Sequence, residues 1–152
     1  MAVPQQAWAG LSPEQKRARA LAAADELFAR EGLDASMPAL AEALGIGVGS
    51  IYRQVGTKDE LIAALVIERS LVLSRRFRDA LAEPDPWAAL ARATHATVDD
   101  CLADALTQTA WDEAAFASDE VRAARREATA ALSRLFERAR EAGRVAAGAS
   151  HE

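Results

Sequence analysis

Cysteine and histidine are scarce in this chain of 152 residues, which has one cysteine and two histidines. The single cysteine, Cys101, excludes an internal disulfide framework and suits a reducing compartment, so we expect a cytoplasmic protein. So few thiol and imidazole groups do not make up a zinc-binding motif. We therefore predict neither a metal nor another cofactor.

Long apolar runs are missing as well. No stretch approaches the roughly 18 residues of a membrane-spanning helix, and the first residues lack the basic start and apolar core of a secretory signal. The net charge of -5 gives no general attraction to nucleic acid, so any DNA binding has to come from local placement of charge. We expect a soluble protein with no membrane partner.

Helix signals, by contrast, are present along the whole chain. Hydrophobic residues make up 51% of the sequence, many of them alanines, and no period-2 strand pattern is visible. Capping boxes at Ser12–Gln15 and Thr57–Glu60 begin two helices. Further boundaries are predicted at Gly32, Ser36, Gly45, Glu83–Pro86, Ser118 and Gly143. The fold class is therefore predicted to be all-α.

Apolar residues at helical spacing predict which faces are buried. They are Ala18, Leu21, Ala24, Leu27 and Phe28; then Leu40, Ala41 and Leu44; then Leu61, Ile62, Leu65, Val66, Leu73 and Phe77. A fifth helix should bury Trp87, Leu90, Ala91, Thr94, Val98, Cys101, Leu102 and Ala105, and the last one Val121, Ala124, Ala128, Leu132, Leu135, Phe136 and Ala139.

The stretch from Gly45 to Gly56 is the most informative part of the sequence. Gly45 can adopt a left-handed conformation that ends one helix and turns the chain. A short helix over residues 48–55 should then turn Ile51 and Val55 inward and place Ser50 and Arg53 on the opposite face.

The outward face of this short helix carries groups that suit DNA. Serine, arginine and glutamine are side chains that read base edges, and a tyrosine hydroxyl commonly contacts a phosphate. A short polar helix that follows another helix after a glycine-containing turn is a helix-turn-helix arrangement. By shape alone, such a stretch is more often a connector between helices.

Residues 18–66 resemble the DNA-binding domain of the tetracycline-repressor (TetR) family. The residues that carry the resemblance are Ala23-Ala24, Leu27-Phe28, Glu31-Gly32, Leu40-Ala41, Leu44-Gly45-Ile46, Gly49, Ile51-Tyr52, Lys58 and Leu61. They cover about a third of the chain without gaps. The resemblance implies an N-terminal three-helix helix-turn-helix domain over residues 1–57, joined by a long helix to a helical body over residues 58–152 that binds a ligand and dimerises. Compared with the family, we expect this body to be short or truncated.

The same resemblance implies which residues touch DNA. It places Ser36, Tyr52 and Lys58 at phosphates, and in the major groove the set Val48, Gly49, Ser50, Arg53 and Gln54. The sequence departs from the family pattern at Met37, Pro38, Gly47, Gln54 and Val55, and these departures bear on the operator sequence rather than the binding mode. Through Ser70 there are nine acidic and seven basic side chains, a net of -2, so nonspecific affinity should be modest and dependent on salt.

Aromatic and apolar residues of the second half are candidates for a ligand pocket, because such side chains bind apolar ligands well. The candidates are Trp87, His95, Leu102, Trp111 and Phe116, although a stripe at helical spacing is more often core.

The exposed arginines of the last helix are expected to be a solvated face. The predicted protein is a transcriptional regulator, a repressor released from a palindromic operator by a small apolar or amphipathic effector, and a homodimer.

Two other functions can be weighed from the sequence. His95 and Cys101 would form the nucleophile–base pair of an enzyme, but on one helix they lie about 120° apart around the axis and cannot meet there. Adjacent carboxylates such as Asp99 and Asp100 diverge on a helix, so we predict that the protein is not an enzyme. A helical interaction module that has lost specific DNA binding remains the alternative.

Overall fold

The structure is a computed structural model that describes residues 8–104, 106 and 118–144. Within these ranges the chain forms six helices and no strand: α1 (Pro13–Glu31), α2 (Met37–Leu44), α3 (Val48–Val55), α4 (Lys58–Ala80), α5 (Pro86–Ala103) and α6 (Asp119–Glu141). The all-α prediction is confirmed. None of these helices is both long enough and apolar enough to cross a bilayer.

The predicted capping boxes form the expected reciprocal hydrogen bonds. At the start of α1, the Gln15 N–H donates to Ser12 Oγ over 3.2 Å, and the Ser12 N–H donates to Gln15 Oε1 over 2.9 Å. At the start of α4, the Thr57 N–H donates to Glu60 Oε2 over 2.7 Å, and the Glu60 N–H donates to Thr57 Oγ1 over 3.2 Å. Each pair satisfies donors that a helix start otherwise leaves open.

The chain divides into two compact units, Met1–Leu65 and Val66–Glu152, with the boundary inside α4. In the first unit α1, α2 and α3 pack against one another. Their shared core contains Ala20, Ala24, Leu27, Phe28, Leu40, Ala41, Leu44, Ile51 and Val55. The functional division predicted between residues 57 and 58 assigns all of α4 to the second domain and stays a prediction.

The second unit packs the later part of α4 with α5 and α6. Its core consists of Leu73, Phe77, Ala80, Ala89, Leu90, Ala93, Ala128, Ala131, Leu135 and Ala139. Most of the α5 and α6 members are alanines, and small side chains allow two helices to approach closely.

This alanine packing explains why the predicted buried stripe of α5 is wrong except at Leu90, which is buried as predicted. The buried residues of α5 are Ala89, Leu90, Ala93 and Thr97. Trp87, Thr94, Val98 and Leu102 are exposed, and Ala91 and Cys101 are half-buried. Thr97 tolerates burial because its hydroxyl donates to the Ala93 carbonyl over 2.8 Å and accepts from Arg76 over 3.1 Å. Ala105 lies outside the described residues.

The other predicted buried faces agree with the structure, with small corrections. In α1, Ala18 is exposed and Leu21 is half-buried. Ala20 is buried, although it was not among the residues predicted to be buried. In α6, Leu132 and Phe136 are half-buried at the edge of the core. Every residue predicted to be buried in α2 and α4 is buried.

Candidate nucleic-acid interface

A glycine turn sets the angle between α2 and α3. Gly45 has φ 66° and ψ 33°, the left-handed conformation that glycine adopts at little cost. The next residue, Ile46, donates its N–H to the Ala41 carbonyl over 3.0 Å and so closes the end of α2. Two residues later α3 begins. The predicted turn is therefore confirmed in its position and its backbone conformation.

The inner face of α3 is fixed by its two apolar residues. Ile51 is 0% exposed and Val55 is 3% exposed, so both are fully inside the core of the first unit. Because they are four residues apart, they lie one above the other on the helix. Their burial leaves the opposite side of α3 directed away from that core, as the sequence predicted.

The outward face of α3 begins with small residues and ends with polar ones. Gly49 and Arg53 are exposed, and Ser50 is half-buried. Arg53 Nη2 donates to Ser50 Oγ over 3.0 Å, one turn back along the helix. A Cβ added to Gly49 would be 3.7 Å from Arg53 Nη1, which is ordinary contact distance. The guanidinium therefore lies back along its own helix, over Gly49, while remaining open to solvent.

The N-terminal end of α3 has no side-chain cap. Gly47 stands at the N-cap position and forms no side-chain hydrogen bond to the helix. Backbone N–H groups at a helix start and the helix dipole together favour an anion such as a phosphate. Gly47 is a weaker cap than serine or threonine, as its sequence suggested.

The predicted phosphate contacts lie at the accessible edges of the same unit. Tyr52 is 48% exposed, and Lys58 is half-buried at the start of α4. Ser36 caps α2, where its Oγ accepts the Ala39 N–H over 3.2 Å. Val48 is exposed and Gln54 is half-buried. All the residues assigned to DNA are thus at least partly accessible, and their contacts with DNA stay predictions.

One residue of this surface escaped sequence reasoning. Arg17 in α1 donates from Nη1 to the main-chain carbonyl of Gln54, with 2.9 Å between the two atoms. The contact joins residues that are 37 positions apart. Spacing along one helix does not reveal such a contact, because it depends on how α1 and α3 cross.

A tight loop separates α3 from the cap of α4. Gly56 has φ 73°, and a Cβ built on it would be 2.2 Å from Glu60 Oε2, so only glycine fits there without movement. The same carboxylate accepts hydrogen bonds from the backbone and the side chain of Thr57, which together lower the pKa of Glu60 below its ordinary value of 4.5.

Three of the five residues predicted to line a ligand pocket lie on the exposed side of α5. Trp87 is 40% exposed and Leu102 is 77% exposed, and His95 is exposed between them. Trp111 and Phe116 lie outside the described residues. The role of these five residues in ligand binding stays a prediction.

Comparisons with known proteins agree with the geometry of the first unit. The family profile described as bacterial regulatory proteins, tetR family, matches residues 20–65. A crystal structure of the TetR transcription regulatory protein from Mycobacterium vanbaalenii is similar to this chain at 30% sequence identity, with a TM-score of 0.62. The similarity covers 91% of this chain and 83% of that chain. No curated protein matches the sequence.

Proposed function

The chain belongs to the tetR family of bacterial regulatory proteins, and from that premise we propose that it is a repressor that binds a palindromic operator through α3 and is released by a small-molecule effector. Membership of the family makes it a transcriptional regulator. The proposal adds four properties to family membership: repression, a symmetric operator, release by an effector and a cytoplasmic location.

The observation that carries the proposal is the two-sided character of α3. Burial of Ile51 and Val55 holds the helix in place, and Arg53 is exposed on the other side. An arginine can donate two hydrogen bonds to O6 and N7 of a guanine in the major groove. Gly49 adds no side chain beyond the backbone, so the start of α3 can approach the base pairs closely.

Contacts to the DNA backbone would fix the register of α3 in the groove. Tyr52 and Lys58 offer a hydroxyl and an ammonium group on either side of the loop that ends α3. A lysine in the first turn of a helix opposes the helix dipole, and a phosphate beside Lys58 would offset that cost. Contacts of this kind position a protein on DNA but carry no sequence information.

A palindromic operator needs two copies of the protein. In helix-turn-helix dimers the recognition helices lie about 34–36 Å apart, so that both enter the major groove on one side of the duplex. We therefore propose a homodimer in which each copy reads one half-site with its own Arg53.

The alternative function is a helical interaction module without specific DNA binding. Two observations favour it: Gly47 gives α3 no side-chain cap, and the chain through Ser70 has a net charge of -2. The missing cap makes α3 a less stable helix, and the net negative charge weakens nonspecific attraction to a polyanion.

Operator selection from a random duplex pool distinguishes the two functions. The repressor should enrich an inverted repeat, and the logarithm of its binding constant for that repeat should fall linearly with the logarithm of the salt concentration. Measurement of mass in solution should give two protein chains for each enriched duplex. Binding that depends on salt but enriches no sequence would favour the interaction module and overturn the proposal.

A further inference from the structure

Arg53 and Ser50 form a hydrogen-bonded pair on the outward face of α3. Arg53 Nη2 donates to Ser50 Oγ over 3.0 Å. Arg53 belongs to the last turn of the helix, and Ser50 belongs to its first turn. Long side chains of a helix lean toward its N-terminus, and the serine hydroxyl lies where it can hold the end of this one. The hydrogen bond therefore keeps the guanidinium group near the start of α3.

The partner of Arg53 is a neutral hydroxyl rather than a carboxylate. Within the part of the chain that the structure describes, the guanidinium group forms this one hydrogen bond and no ion pair. Arg78, which is also exposed, pairs instead with Glu127 over 3.0 Å. A carboxylate would neutralise the positive charge and occupy donors that could otherwise meet a base. The hydroxyl of Ser50 occupies one donor and leaves the charge and the other donors in place.

Gly49 leaves room for the folded-back side chain of Arg53. A Cβ built on Gly49 would lie 3.7 Å from Arg53 Nη1, so the guanidinium group lies close beside the backbone of this glycine. A side chain longer than a methyl group at this position would extend into the same space. Ser50 is half-buried and Arg53 is exposed, so the group that is held remains open to a DNA duplex.

An arginine held in this way suits base recognition for two reasons. Recognition helices contact base edges with residues near their N-terminal ends, and the contact with Ser50 brings the guanidinium group of Arg53 toward that end. A side chain that is already ordered also loses less conformational entropy when it binds. Both effects would strengthen a bidentate contact to guanine.

We propose that Ser50 is a positioning residue for base recognition: its hydroxyl holds the guanidinium group of Arg53 over the first turn of α3, with the remaining donors available to a guanine. The inference rests on the proposed function, because it assigns a role within the surface that is proposed to read the operator. It differs from the role that the family resemblance implies for Ser50, which is to face the groove itself.

A double-mutant cycle on the selected operator tests this inference. Ser50→Ala removes the hydroxyl and should fold, because alanine is the better helix former. We expect it to weaken binding to the preferred operator about threefold to tenfold, and to lower the preference for guanine at the base pair read by Arg53 by a similar factor, which is the range of one hydrogen bond. With Arg53→Ala already present, the same change should alter binding by less than about twofold.

A direct contact between Ser50 and a base would give a different result. The loss caused by Ser50→Ala would then be equal with and without Arg53, and the lost preference would fall at another base pair. Either result would overturn the positioning role. Tyr52→Phe is the matched control, since it removes a hydroxyl from the same helix and should cost the same in both backgrounds. Coupling of this control to Arg53→Ala as strong as that of Ser50→Ala would also overturn the inference.

The hydrogen bond can also be followed without DNA, by NMR of the arginine side chains. We expect rotation about the Cζ–Nη bonds of Arg53 to be about threefold or more faster in Ser50→Ala than in the unmodified protein, because the restraint of a hydrogen bond is lost. Arg17, whose partner is the main-chain oxygen of Gln54, should give the same signals in both proteins and serves as the internal control. Equal rotation of Arg53 in the two proteins would overturn the inference.

Failure of this inference can be distinguished from failure of the proposed function. An inverted repeat that is enriched and read through Arg53, without coupling to Ser50, upholds the proposed function and contradicts the positioning role. A selection that enriches no sequence contradicts the proposed function and the recognition role together, even where the NMR signals show the hydrogen bond. Coupling on the operator together with faster rotation in Ser50→Ala supports both.

Discussion

The guanidinium group of Arg17 in α1 donates a hydrogen bond from Nη1 to the main-chain oxygen of Gln54 in α3, with 2.9 Å between the two atoms. That oxygen lies in the last turn of α3, where carbonyls lack partners within the helix and the dipole favours a cation. Arg17 therefore stabilises the C-terminal end of the helix whose outer face is proposed to read DNA.

Replacement of Arg17 tests this contact. Arg17→Gln should lower the free energy of unfolding by about 0.5–1.5 kcal/mol, because a hydrogen bond and a favourable charge are lost. Operator affinity should fall as well, because the orientation of α3 is less restricted. Denaturant unfolding and operator titration measure the two effects. Arg19→Gln, on the same helix and without this contact, is the control; equal effects of both variants would argue against a specific role for Arg17.

Gly49 offers a prediction in which stability and affinity move in opposite directions. Gly49→Ala should stabilise the fold by about 0.5–1 kcal/mol, because glycine inside a helix is unfavourable, and the added Cβ would sit at an ordinary 3.7 Å from Arg53 Nη1. The same methyl group would project from the outward face of α3 and should weaken operator binding. Thermal unfolding measures the change in stability, and operator titration measures the change in affinity. A more stable variant with unchanged affinity would mean that this face of α3 does not contact DNA.

Tyr52 is expected to contribute affinity without selectivity. Its 48% exposure leaves the ring accessible beside α3, and a phosphate contact carries no base information. Tyr52→Phe should weaken binding to all operator sequences by a similar factor, about 0.5–1.5 kcal/mol for one hydrogen bond. Titration against a small panel of operator variants measures this. Unequal losses across the panel would contradict the phosphate role.

The cap of α4 should make stability depend on pH through Glu60. The hydrogen bonds from Thr57 lower the pKa of this carboxyl below 4.5 in the folded protein, so the unfolded chain takes up the proton first as pH falls. The contribution of the ionised cap is therefore complete above the pKa of the unfolded chain and is lost as the pH drops through the lower pKa of the folded protein.

A charge-removing variant isolates this contribution. Glu60→Gln should have a lower Tm than the unmodified protein at pH 7, and the difference should shrink between about pH 5 and pH 3, where the carboxylate becomes protonated. Thermal unfolding at a series of pH values checks the trend. A difference that stays constant over this range would show that the charge of Glu60 does not contribute to the cap.

Local signals in the sequence were sufficient to locate most helix ends and the candidate interface. Ser12, Ser36, Thr57 and Ser118 mark helix starts because a hydroxyl cap acts on N–H groups a few residues away. The position of α3 follows in the same way from Gly45 and from the spacing of its two apolar residues. These features depend on neighbours in the chain, which a sequence displays.

Features that depend on packing between helices were harder to predict. On α5 the apolar residues Val98 and Leu102 had the right spacing for a core, but the alanine face packs instead. Alanine carries little hydrophobic signal, although it permits the closest approach of two helices. The Arg17 contact depends in the same way on how two helices pack.

Operator selection repeated with Arg53→Ala tests the central claim that the outer face of α3 reads base pairs. If Arg53 makes a bidentate contact to guanine, its loss should cost about 1–3 kcal/mol on the preferred operator and should erase one base preference at the same position of both half-sites. Preferences at the other positions should remain. Recovery of an unchanged inverted repeat by the variant, at unchanged affinity, would contradict the account.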